Sequence, residues 1–107
     1  MMLARVIVES PYAGDVEANV AYARAALRDS LSRGEAPIAS HLLYTQPGVL
    51  DDDIPQERQQ GINAGLAWRG VAQFAAFYVD RGWSSGMLAA RDLYEAEGIP
   101  FEERRMR

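Results

Sequence analysis

The sequence predicts an α/β fold of three layers, with a central parallel sheet of four to five strands between helices. Three observations carry that expectation. Short apolar, partly β-branched runs alternate along the chain with apolar stripes at the helical period. Clusters of Gly, Pro, Ser and Asp separate them. The length of 107 residues suits one core, so residues 1–107 are expected to form a single domain.

The first strand is Leu3-Ala4-Arg5-Val6-Ile7-Val8-Glu9, which stops at the turn formers Ser10-Pro11-Tyr12-Ala13-Gly14-Asp15. A helix follows from Val16 to Arg33, where Val16, Val20, Ala23, Leu27 and Leu31 form one apolar stripe. Asp15 is placed to cap it and Gly34 to stop it. Pro37 to Tyr44 contains a short strand with His41 at its end, and a Gly-, Pro- and Asp-rich loop comes next. Pro55 opens a second helix reaching about Arg69, with Ile62, Leu66 and Trp68 on its apolar side. Gly61 and Gly65, one turn apart, cost helix stability and point to close approach of another backbone. Val71 to Val79 is the third strand, and Ser85 to Glu97 the third helix, ended by Gly98 and Pro100. Phe101 to Met106 reads as a final strand, charged enough for an edge.

Composition excludes several function classes. Apolar residues make up 49% and charged residues 24%, an ordinary globular balance. No run approaches the roughly 20 apolar residues of a membrane span, and no signal-peptide layout opens the chain, so a cytoplasmic protein without a membrane partner is expected. Eleven basic residues, all Arg, face fifteen acidic ones for a net charge of −4, which argues against nucleic acid as a partner. Without Lys or Cys there is no Schiff-base, P-loop or thiolate chemistry. A single His excludes multi-histidine metal sites, and no cofactor motif is present.

In parallel α/β sheets, ligands bind beyond the carboxyl ends of the strands. Three segments therefore draw attention. In the first, Ser10, Pro11, Tyr12, Gly14 and Asp15 place a hydroxyl, an aromatic ring and a turn beside a helix N-terminus, with Asn19 on the same face of the first helical turn. In the second, His41 faces the same crevice. In the third, Asp80 and Arg81 precede Ser85, Gly86 and Met87 at the start of the third helix, where a carboxylate can accept from a sugar hydroxyl and backbone N–H groups can hold an anion. By local features alone a plain strand-to-helix turn is the favoured reading of the first and third loops. Asp51, Asp52 and Asp53 are expected to cap the second helix, whose N-terminus favours negative charge, rather than to hold a cation. Tyr12, Tyr44, Trp68, Trp83 and Tyr94 include candidates for stacking on a base.

Taken together, Ser10-Pro11-Tyr12-Ala13-Gly14-Asp15-Val16-Glu17-Ala18-Asn19, Ala36-Pro37-Ile38-Ala39-Ser40-His41-Leu42-Leu43, Asp80-Arg81-Gly82-Trp83-Ser84-Ser85-Gly86-Met87 and Gly98-Ile99-Pro100 occur in this order. The set resembles the nucleoside 2-deoxyribosyltransferase-like proteins, including small phage and prophage members, over nearly the whole chain. The resemblance implies a flavodoxin-like sandwich and a homo-oligomer with shared sites. In active relatives of that kind, a glutamate on the helix after the Ser-Gly loop attacks the anomeric carbon of a deoxynucleoside or deoxynucleotide. Counting four residues from Gly86, that position is Ala90 here. Arg91 is no nucleophile, and Asp92 lies two residues on, about 200° around the helix. Alanine cannot form a glycosyl-enzyme intermediate.

The expectation is therefore non-catalytic binding of a nucleotide or ADP-ribose-like small molecule, with sequestration of a cyclic ADP-ribose-type immune signal as its phage anti-defence form. Ser10, Pro11, Tyr12, Gly14, Asp15, Asn19, His41, Asp80, Arg81, Ser85, Gly86, Met87 and Ala90 are the candidate ligand-binding residues. The alternatives are a deoxyribosyltransferase or N-glycoside hydrolase using a displaced carboxylate such as Asp80 or one of Asp51 to Asp53, and a structural subunit without a ligand.

Overall fold

The computed structural model describes residues 3–107. Its order is β1 (Arg5–Glu9), α1 (Val16–Ser32), β2 (Ala36–Ile38), α2 (Ser40–Leu43), α3 (Pro55–Leu66), a 3₁₀ turn (Ala67–Gly70), β3 (Phe74–Tyr78), α4 (Ser85–Glu97) and β4 (Phe101–Arg104). The four strands form one parallel sheet in the order β2-β1-β3-β4. Val6 pairs with Pro37 on one side and Phe74 on the other, so β1 is internal.

Alternation along the strands divides the core between two faces. Val6, Val8, Ala76 and Tyr78 point to α1, where Ala23 and Ala26 let the helix approach closely, and Ala39 and Leu42 join them. Ile7, Ala75, Phe77 and Val79 point the other way, onto Met87, Ala90 and Tyr94 of α4. A sheet covered by α1 on one face and α4 on the other is the three-layer arrangement expected from the sequence. The ring of Phe77 lies 5.0 Å from Trp83, 5.9 Å from Tyr94 and 5.5 Å from Phe101, so Trp83 and Tyr94 spend their rings on packing.

Local chemistry sets the ends. The Asp15 carboxylate accepts from the Ala18 N–H at 3.2 Å and caps α1. Ser84 caps α4 by accepting from the Met87 N–H at 3.2 Å. Gly98 ends that helix at φ +70°, a conformation that costs a side-chain-bearing residue steric strain.

Four expectations change. His41 does not end a strand: β2 is only three residues long, and His41 sits in the one-turn helix α2 that follows. The second helix stops at Leu66 and tightens into the 3₁₀ turn before Arg69. Gly65 does meet a close neighbour, but it is the Ser40 side chain rather than a backbone, since a Cβ on Gly65 would lie 2.6 Å from the Ser40 Cβ. Ile54, not an aspartate, occupies the N-cap of α3. The Asp51 carboxylate accepts instead from the Asp53 N–H, and Asp52 pairs with Arg58.

At the opposite edge, Arg104 reaches both oxygens of Glu35 at 2.7 Å and the Tyr78 hydroxyl at 3.0 Å, with its side chain only 4% exposed. Tyr78 in turn donates to Asp29 at 2.7 Å. This network ties β4 and β3 to α1 and the turn that follows it.

Candidate functional site

The carboxyl ends of β1 and β2 and the N-terminus of α4 open onto one cavity of about 240 Å³. Glu9, Ser10, Tyr12 and Ala13 come from the end of β1, and Ser40, His41, Tyr44 and Thr45 from α2 and its end. Glu57, Arg58, Gly61, Ile62, Gly65 and Leu66 of α3 form the outer wall, while Ser84 to Met87, Ala89 and Ala90 come from α4. Two features of the sequence make the cavity possible. β1 ends at a turn, so the chain leaves the sheet there and brings Glu9, Ser10, Tyr12 and Ala13 to the cavity wall. Gly65 lets α3 lie against Ser40, and the helix shields the site from solvent on that side.

Of the residues singled out from the sequence, Ser10, Tyr12, His41, Ser85, Gly86, Met87 and Ala90 meet on these walls. Pro11, Gly14, Asp15, Asn19, Asp80 and Arg81 do not line them. Their roles are elsewhere. Asp15 is the helix cap. Asn19 is buried, donates to the carbonyls of Tyr12 and Ala13 at 3.0 and 3.1 Å, and accepts from Arg81 Nε at 2.8 Å. It therefore joins the loop after β1 to the loop after β3. Asp80 accepts from the Tyr22 hydroxyl at 2.6 Å and from the Met106 and Arg107 N–H groups at 2.9 and 3.2 Å. Those donors hold its carboxyl below the usual aspartate range, and it fastens the end of the chain rather than facing a ligand. Among the aromatic candidates, Tyr12 and Tyr44 line the cavity, and Trp68 donates its indole N–H to the Tyr44 hydroxyl at 3.0 Å.

Sequence reasoning missed the most unusual group in the cavity. Glu9 closes an otherwise apolar strand core, and its Oε1 accepts from the Tyr94 hydroxyl at 3.0 Å. Burial disfavours its anion, the single hydroxyl donor only partly offsets this, and its carboxyl is pushed up to about 7. The available signal was positional: an acidic residue ending a buried strand, immediately before the ligand-facing loop. The outer wall from α3 was missed as well: Gly61 and Gly65 signalled a close approach, but nothing in the sequence named the element approached.

Next to Glu9, Ser10 Oγ and His41 Nε2 are joined by a 2.6 Å hydrogen bond. Burial pushes His41 down to about 4, so its imidazole is neutral at pH 7. No carboxylate is hydrogen-bonded to His41 among the described residues, and the pair lacks the orienting acid of a hydrolytic triad. The other charged groups on the walls are Asp52, Glu57 and Arg58, with Arg58 paired to Asp52 at 3.0 Å. On the side of Tyr12, Thr45 and Leu50 the cavity adjoins an open groove that Asp51, Asp52, Asp53 and Glu57 also line. The site as a whole is acidic. Its anion-attracting feature is the start of α4, where the N–H groups of Ser85 and Gly86 have no intrahelical acceptor.

The site can therefore enclose a small, largely uncharged molecule in a cavity lined by two tyrosines and offer it a carboxyl, a hydroxyl–imidazole pair and helix N–H groups. Comparison with known proteins adds a family: the model of a domain of unknown function (DUF7768) matches residues 4–104, and the chain belongs to that family. No curated protein and no solved structure matches it significantly.

Proposed function

We propose that this member of the DUF7768 family is a non-catalytic binding protein for a nucleotide-derived small molecule, whose nucleoside part enters the cavity. The observation that carries the reading is Ala90, a methyl group on the cavity wall at the position where the resemblance to nucleoside 2-deoxyribosyltransferases expects the attacking glutamate. The volume supports a nucleoside rather than a whole dinucleotide, since pockets for drug-sized ligands start at roughly 300 Å³. Charge supports the same choice: Asp52 and Glu57 outnumber the single, already paired Arg58. A phosphate would have to sit at the start of α4. Shared sites between copies of the chain belong to the same proposal, and light scattering at micromolar concentration tests them through the mass of the assembly.

Cleavage of an N-glycosidic bond is the second reading, favoured by a carboxyl inside the cavity. Its carboxylate would be Glu9 or Asp52 rather than Asp80, which faces away.

Thermal unfolding with nucleosides and nucleoside monophosphates tests both readings. A ligand at a hundredfold excess over its Kd stabilises the folded state by about 2.7 kcal/mol. Stabilisation with no release of free base supports binding. Turnover of a deoxynucleoside to base and sugar by the wild type overturns it in favour of the enzyme.

A further inference from the structure

We infer that Glu9 sets the ligand specificity of this cavity as a neutral carboxylic acid, pairing with a heterocycle edge that offers a ring-nitrogen acceptor beside an amino donor, as adenine and cytosine do. This rests on the nucleoside reading above and names the chemistry that the cavity selects.

The geometry comes first. Glu9 lies on the cavity wall at the end of β1, and only Oε1 is engaged, by the Tyr94 hydroxyl. Among the described residues no hydrogen bond holds Oε2, and no ion pair involves Glu9 at all. From β1 and its loop come Ser10 and Tyr12; from α2, the neutral His41, already bonded to Ser10. From α3 come Glu57 and Arg58, the latter spent on Asp52 of the preceding loop. From α4 comes Tyr94, with Arg69 acting on the tyrosine rather than on the carboxyl. Nothing positive balances a Glu9 anion. The carboxyl therefore keeps its proton to about pH 7.

Protonation decides what such a group recognises. A carboxylic acid carries one donor and one acceptor, whereas a carboxylate only accepts. The acid form fits an acceptor–donor edge, and the anion fits a donor–donor edge such as guanine's. An unmatched buried polar group costs about 1–3 kcal/mol, so the two forms prefer different bases. Tyr12 and Tyr44 supply faces for a flat ring without adding charge.

The experiment has two parts on the intact protein. Carbon-13 NMR of labelled glutamate carboxyls follows Glu9 without ligand, assigned by its loss in Glu9→Gln. Calorimetry then measures adenosine and guanosine at pH 6 and pH 8, where neither base titrates. With a carboxyl half-protonated near pH 7, adenosine affinity is expected to fall about tenfold from pH 6 to pH 8. Glu9→Gln, which keeps a donor and an acceptor but cannot titrate, is expected to bind adenosine equally at both values. A Glu9 titration near the ordinary glutamate value overturns the proposal, as does wild-type adenosine binding that ignores pH or guanosine binding that exceeds adenosine's at pH 6. Failure of every nucleoside to bind while Glu9 still titrates near 7 overturns the nucleoside reading and this proposal with it. Binding without pH dependence overturns the proposal alone.

Discussion

Replacing Glu9 by Gln is expected to change how stability depends on pH, and the structure gives both the sign and the size. In the unfolded chain Glu9 releases its proton near 4.5; in the fold it keeps it to about 7. Between those values the folded state holds one more proton than the unfolded state, so Glu9 makes stability fall as pH rises. His41 does the opposite. Its unfolded form takes up a proton below 6.5 and its folded form only near 4, so stability rises with pH across that window. Each shift is worth about 3 kcal/mol at 1.36 kcal/mol per pH unit. From pH 4.5 to 6.5 the two oppose each other, and the wild type is expected to be nearly flat. Asp29, Glu35, Asp80 and Glu97 are all held below their usual values; they titrate under this window and cost stability only as pH falls further. Glu9→Gln should expose the histidine, with stability climbing by about 3 kcal/mol from pH 4 to 6.5. His41→Gln should expose the glutamate and lose a similar amount, about 3 kcal/mol, from pH 4.5 to 7. Urea unfolding at half-unit steps of pH, with fitted slopes compared across variants, measures this directly. If the Glu9→Gln profile runs parallel to wild type through pH 4.5–6.5, the carboxyl does not titrate as the buried geometry requires and the reasoning fails.

Other substitutions probe the cavity and its frame. Gly65→Ala should destabilise by about 1–3 kcal/mol through the clash with Ser40, although the same change on an open helix face stabilises; Ser40→Gly should restore most of the loss in a double-mutant cycle read by thermal unfolding. Ala90→Glu adds a further carboxyl to an acidic cavity and should weaken nucleoside binding at least about tenfold by calorimetry, while leaving far-UV circular dichroism unchanged. Arg104→Met strands Glu35 and should cost about 3–5 kcal/mol in urea unfolding, with no change in the affinity of the distant cavity. Asp80→Asn should leave nucleoside affinity at the wild-type value but speed hydrogen exchange at Met106, whose N–H it holds at 2.9 Å.

The sequence by itself determined the α/β class, the parallel sheet and most element ends, because these depend on local patterning. Val6 to Val8 read as a buried strand, Val16 to Arg33 as a helix, and Ser84-Ser85-Gly86 as a helix start, each from neighbours within a few residues; the face that helix buries is Asn19, Ala23, Ala26 and Ser30, and the ends of the expected stripe, Val16 and Leu31, are exposed. The same reasoning brought Ser10, Tyr12, His41 and Ser85 to one region, since strand ends in a parallel sheet open on one side; Ala90 was singled out only by the resemblance. Only the tertiary structure could decide which polar groups face the cavity and which are used up in holding loops. Asn19 and Asp80 look like ligand-binding residues in a string of letters, yet they are engaged by Tyr12, Ala13, Arg81, Tyr22 and the N–H of Met106. Glu9 looks like the solvated end of a strand. Its carboxyl becomes unusual only when α2, α3 and α4, from three separate stretches of sequence, close around it and supply one hydroxyl donor and no cation paired to it. Desolvation and charge balance are sums over everything nearby in space, and the order of residues along the chain does not contain them.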